Sequence, residues 1–113
     1  MAIPGLGDHR RDRIAALRAR RLEVQNRMRA EKPGTPVYKA LGALHTVLGK
    51  FEGWMKLSYK PPLELTPNLE VAQEQAREES QHQAEVADAE AKLAAADRAA
   101  ATVADRRVTD SAE

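Results

Sequence analysis

The chain has 113 residues, no cysteine, 31% charged residues and a formal net charge of +1. That is enough for one modest domain with one core, and it excludes disulfides and thiolate metal sites. The near-neutral total hides a division: residues 1–62 carry 13 Lys/Arg against 5 Asp/Glu, and residues 63–113 carry 5 against 12. Either the basic half has an acidic or nucleic-acid partner, or the two halves pair with each other. The short uncharged stretch Met1 to Gly7 has no apolar run behind it, so no signal peptide is expected. A membrane span needs about 20 predominantly apolar residues. The most apolar segment, Val37 to Leu57, is interrupted by Lys39, Lys50, Glu52 and Lys56 and does not qualify.

The predicted fold is all-α: a helical hairpin plus a long third helix, partly coiled-coil-like. Residues 1–7 read as an extended arm, 8–62 as a basic hairpin, 63–108 as an acidic long helix and 109–113 as a flexible tail. The first helix is expected from Asp8 or Arg11 to Glu31, with Asp8 as cap and Asp12 at the positive N-terminal end. Pro33-Gly34-Thr35-Pro36 stops it. Thr35 should cap the second helix, with Pro36 at its first position, and Pro61-Pro62 should end it. Leu63 to Thr66 reads as an extended connector. Thr66 then caps the third helix, which has Pro67 first and no further Gly or Pro, and should continue to about Arg107.

Apolar spacing supports the same three helices. Val37, Leu41, Leu44, Leu48, Phe51 and Met55 alternate steps of four and three, and Tyr38, Val47 and Trp54 widen the stripe. A face that wide belongs to a helix covered from more than one side. In the third helix Val86, Ala89, Leu93, Ala96, Ala100 and Val103 follow a seven-residue repeat. In the first, Ile14, Leu17, Val24 and Met28 form a narrow seam interrupted by Arg21. Arg13, Arg20 and Arg27 border one side of that seam, and Arg11, Arg18 and Lys32 the other. The third helix offers Glu78 and Glu85 on one border and Glu90 and Asp97 on the other. Flanking charges of this kind choose partner and orientation in paired helices. Arg13, Arg20, Arg27, Val86, Leu93, Ala100 and Val103 are therefore the candidate partner-binding residues.

Other chemistries find less support. Arg10 to Lys32 holds nine Lys/Arg, and Arg10, Arg11, Arg18, Arg21 and Arg29 are candidate phosphate contacts. No recognition-helix arrangement, zinc-finger spacing or aromatic stacking motif accompanies them. Phe51, Trp54 and Met55 with Lys50, Lys56 and Lys60 have the make-up of an interfacial helix, but the central helix of a bundle needs the same face. Glu79 and His82 have the Glu-x-x-His spacing of di-iron bundles in a single copy, where such a site needs two. Ser58, Ser80 and Ser111 lie in no nucleophile context, and no Gly-rich phosphate loop is present. Gly49 and Gly53 should loosen or bend the second helix.

The sequence thus reads as a non-enzymatic interaction or assembly module without cofactor or metal. It is expected to meet a protein partner, or copies of itself as a homo-oligomer, rather than a membrane. The absence of Cys fits a reducing compartment, so a cytoplasmic protein is expected; the Arg- and Ala-rich, aromatic-poor composition reads as GC-rich bacterial or phage coding, which adds a small structural or accessory component of a phage particle as an expectation. The alternative is a small nucleic-acid-binding protein that uses the first helix.

Overall fold

The computed structural model describes the backbone of residues 10–65 and 67–112, and the side chains of 10–61, 64, 65 and 67–103. The expected arm over residues 1–7 and the Asp8 and Thr66 caps lie outside these residues. The chain forms an all-α fold, a helical hairpin plus a long helix: α1 (Arg10–Ala30), α2 (Pro36–Leu57), a single turn α3 (Pro62–Leu65) and α4 (Leu69–Ala112).

Local chemistry sets the boundaries. Gly34 takes φ +89°, a conformation that glycine adopts without the Cβ penalty, and so turns the chain between α1 and α2. Thr35 is extended, and its Oγ1 accepts a hydrogen bond from Tyr38 N at 3.2 Å, with Pro36 opening α2. At the other end the Ser58 and Tyr59 amides both donate to Trp54 O, at 2.8 and 3.1 Å. Lys60, just before the two prolines, is pinned by Gln75 of α4: its N–H donates to Oε1 at 2.8 Å and its carbonyl accepts from Nε2 at 2.9 Å. Gln75 is buried in doing so.

Two boundaries differ from the sequence expectation. The connector after Pro61 is helical rather than extended, because Glu64 N donates back to Pro61 O at 3.0 Å and Asn68 N to Leu65 O at 3.0 Å. That extra turn delays the long helix, which starts at Leu69 with Asn68 Oδ1 accepting from Val71 N at 3.2 Å. At its far end the backbone stays helical to Ala112 and does not stop near Arg107 or Val108. No Gly or Pro interrupts that stretch.

The hydrophobic core has α2 at its centre. Leu41, Leu44 and Met55 are 0% exposed and Leu48 is 1%. Val24 of α1 and Ala89 and Leu93 of α4 join them, with Leu17, Met28, Ala40, Val47, Val86 and Ala96 packed around the cluster. α1 packs on α2 and α2 on α4, while the described backbones of α1 and α4 stay more than 8 Å apart. Because α1 and α4 both run antiparallel to α2, they run parallel to each other. No helix among the described residues is long and apolar enough to cross a membrane.

The molecule is a rod of 70 × 24 × 24 Å. Its length is that of α4, whose 44 residues span about 66 Å at 1.5 Å per residue. α1 and α2, with 21 and 22 residues, reach about half as far. Among the described side chains of α4, Ala96 is the last packed on the core. Beyond it α4 projects past the hairpin turn.

Candidate interaction surfaces

The first surface is the arginine row of α1. Arg13, Arg20 and Arg27 recur every seven residues and so lie on one side of α1. All three reach across to α4 within the same chain. Arg13 pairs with Glu79. Arg20 makes a two-pronged contact with Glu90, Nη2 to Oε1 at 2.6 Å and Nε to Oε2 at 3.2 Å. Arg27 does the same with Asp97, with Nη1 to Oδ2 at 3.0 Å and Nη2 on the other oxygen. The guanidinium fork matches a carboxylate in this way, and the long side chain spans a gap the two backbones leave open. The hydrogen bond to Glu90 holds Arg20 above its usual pKa against the opposing effect of burial, and Asp97 does the same for Arg27. Asp97 is correspondingly held below the usual carboxylate value, chiefly by its hydrogen bond to Arg27.

Of the four acids that border the third helix in the sequence, Glu90 and Asp97 meet the arginines and the other two do not. Glu78 instead accepts from Trp54 Nε1 at 2.8 Å, and Glu85 makes no ion pair among the described residues. Glu79, which occupies a seam position, takes the place beside Arg13. These pairs are partly exposed, so each should contribute only about 0.2–1 kcal/mol. In a double-mutant cycle, Arg20→Glu should cost that order and Arg20→Glu with Glu90→Arg should recover part of it. A coupling indistinguishable from zero in urea denaturation at low salt would mean that the row does not hold α1 to α4.

The second surface surrounds Glu52, a buried carboxylate on α2. Three cations converge on it: Arg21 Nε on Oε2 at 2.9 Å, and Arg18 Nε and Lys56 Nζ on Oε1 at 3.1 and 3.3 Å. Burial alone would raise the Glu52 pKa. The hydrogen bonds from Arg21, Lys56 and Arg18 outweigh it and hold the carboxyl below its usual value. Arg21, which interrupts the α1 seam in the sequence, and Glu52, one of the four charges within the apolar segment Val37 to Leu57, answer each other across the helix pair. The sequence reading missed Glu52. The available signal was that Glu52 is the single acidic residue of α2, opposite in sign to the Arg21 that interrupts the α1 seam.

An aromatic corner closes the opposite end of the rod from the hairpin turn. The His82 ring stacks on Phe51 with centroids 5.3 Å apart and planes 13° from parallel, and Trp54 lies tilted against it at 5.5 Å. The guanidiniums of Arg10 and Arg13 lie 5.7 and 5.4 Å from the Tyr59 ring centroid, and Arg10 Nη2 donates to Tyr59 O at 2.8 Å. Phe51 and Met55 are buried, so the apolar face that resembled an interfacial helix is covered within the chain. Of the Glu-x-x-His pair, Glu79 is held by Arg13 and His82 by the ring stack.

The third surface is a groove of about 590 Å³ at the hairpin turn. Glu31, Thr35, Pro36 and Val37 form one wall, and Ala96, Ala99, Ala100 and Val103 of the projecting α4 the other. Val103 is 48% exposed. The candidate partner-binding residues thus separate into three groups: Arg13, Arg20 and Arg27 meet carboxylates of their own chain, Val86 and Leu93 pack in the core, and Ala100 and Val103 face the open groove. Among the candidate phosphate contacts, Arg18 and Arg21 hold Glu52, Arg10 holds the Tyr59 corner, and Arg11 and Arg29 are exposed with no ion pair among the described residues. No protein family, curated protein or solved structure matches the chain.

Proposed function

We propose that the chain is a non-enzymatic helical assembly module, a small structural or accessory component of a larger complex, and that it engages its partner through the projecting end of α4. The observation that carries this reading is the groove formed by Ala96, Ala99, Ala100 and Val103 over the hairpin turn. An apolar helix face with no cover costs free energy in water, and a lone helix is marginal there. A partner helix removes both costs.

The arginine-rich first helix favours nucleic acid less than its composition suggests. Five of its arginines (13, 18, 20, 21 and 27) are neutralised by carboxylates of the same chain. A phosphate track would draw on Arg11 and Arg29, which sit at opposite ends of α1, about 27 Å apart at 1.5 Å per residue. Submicromolar, steeply salt-dependent binding to duplex DNA, lost on reversal of these two, would replace the assembly reading.

The direct test is amide exchange at residues 97–103 of the chain free and in the complex purified from its source. Slower exchange in the complex supports the proposal. Equal, rapid exchange in both removes the projecting helix as the contact.

A further inference from the structure

α1 presents cations on two sides, and α4 answers only one of them. Arg13, Arg20 and Arg27 are spent on Glu79, Glu90 and Asp97. Arg18, Arg21 and Arg29 lie instead along the contact between α1 and α2. Two shallow depressions of about 330 and 340 Å³ open there side by side and share His45. Arg21 and Lys56 line the first and Arg29 the second. Among the described residues none of α4 lines either, and Glu52, which is buried, is the one acid in the two linings. Three cations share its carboxylate, which leaves two positive charges unbalanced. Arg18 and Arg21 each meet it through Nε alone, so among the described residues no hydrogen-bond partner occupies their Nη groups.

We infer that this face docks an acidic helix of a partner protein. It is a separate surface from the projecting end of α4, and the two readings stand independently. Unbalanced cations around a buried carboxylate attract carboxylates from outside, and charge complementarity of this kind selects the partner. A helix laid along α1 fits the spacing. Arg18 and Arg21 are three residues apart and Arg29 lies eight further on, a span of about 17 Å at 1.5 Å per residue. Carboxylates three or four residues apart on the incoming helix share one face and meet the first two, and another two turns further on meets Arg29. α1 already uses this arrangement on its other side, where its arginines meet the carboxylates of a parallel helix. The floor suits a helix as well. Gly49 and Gly53 of α2 line the first depression, and a Cβ on either would meet nothing nearer than 4.0 Å, so packing within the chain does not call for glycine there. Glycine weakens a helix interior, and what it offers is room for another backbone to come close. A nucleic-acid backbone would draw instead on a row of freely presented cations, whereas two of these arginines are oriented by Glu52.

The test uses the full chain and three probes. The first is an alanine-based helical peptide of about 18 residues with glutamates on one face at steps of four and three. The second is the same peptide with its glutamates spread around the helix, and the third is duplex DNA. The one-faced peptide should shift the amide resonances of Thr46, Gly49 and Gly53 and leave those of Ala89 and Leu93 in place. Arg29→Glu with Lys56→Glu should weaken its binding by about tenfold or more at low salt. Both side chains are exposed, so helix content should not change. Gly53→Gln, whose side chain enters open space in the free chain, should keep or raise the melting temperature and weaken the peptide by a similar factor. No shift at Gly49 and Gly53 with millimolar peptide overturns the inference. So does equal affinity for the spread peptide, which marks non-specific charge attraction, or peptide binding that Gly53→Gln leaves unchanged. DNA bound more tightly than the one-faced peptide at the same salt, and insensitive to Gly53→Gln, overturns it in favour of nucleic acid. The same shifts in the chain alone as its concentration rises overturn it in favour of a second copy. None of these outcomes bears on the projecting end of α4, which amide exchange tests by itself.

Discussion

Leu44→Ala should destabilise the fold by about 2–5 kcal/mol, the largest effect expected of any single truncation in this chain. Leu44 is 0% exposed and sits at the middle of α2, in one cluster with Val24 from α1 and Leu93 from α4. Removing its three outer carbons leaves a void that both neighbouring helices border, and a close-packed interior relaxes only partly into such a space. The position also decides how the damage spreads. The described backbones of α1 and α4 stay apart, so a loosened α2 weakens the layer on which both helices pack and leaves them joined through the Arg–carboxylate row. Leu57, 89% exposed at the end of the same helix, supplies the control: Leu57→Ala should change stability by less than about 0.5 kcal/mol. Urea denaturation of the two variants side by side measures the difference. If Leu44→Ala cost no more than Leu57→Ala, the α2 face would not be the core.

Glu52→Ala should be the second most damaging change, at about 2–3 kcal/mol. The carboxylate is 4% exposed and accepts from three cations. Without it those cations face one another with no counter-charge, and the penalty of an unmatched charge is what makes breaking a buried pair expensive. The figure stays below the upper range for buried pairs because Arg18 and Lys56 are 47% and 46% exposed and can turn to water. Arg18→Ala should accordingly cost much less than Glu52→Ala.

The same site fixes a pH dependence. The folded state holds Glu52 and Asp97 below their ordinary values, 4.5 and 3.8. A depressed folded pKa means that the unfolded chain binds protons first as pH falls. The stabilisation from both groups is therefore complete above the ordinary values and is lost as pH drops through and below them. Denaturation midpoints should be level near neutrality and fall below about pH 4.5. Glu52→Gln should start lower and lose less on acidification. A variant whose acid-induced loss matched that of the parent chain would show that Glu52 titrates alike folded and unfolded.

Most of the local structure was legible in the residues. Thr35 and Pro36 announced the start of α2, Gly34 the turn before it, and the four-three spacing from Val37 to Met55 the face that became the core. Each of these signals acts within one or two helical turns, where covalent geometry and side-chain shape decide the outcome. The charge asymmetry was legible as well. Both ways of satisfying it, with an outside partner or between the halves, were equally open from the sequence.

What the sequence determined by itself is the all-α class, the turn that joins α1 to α2, the identity of the buried stripe on α2 and the excess length of α4. These follow from period, caps and rise per residue. Only the tertiary structure decided that Arg13, Arg20 and Arg27 spend their charge on Glu79, Glu90 and Asp97 of the same chain. That choice depends on the parallel register of α1 and α4, set by packing on α2 and by the extra turn at Pro62–Leu65, and no local rule specifies it. The structure likewise decided that Arg21 and Glu52, each an interruption when read alone, meet as partners, because a charge can sit at a helix interface only where another helix brings its opposite.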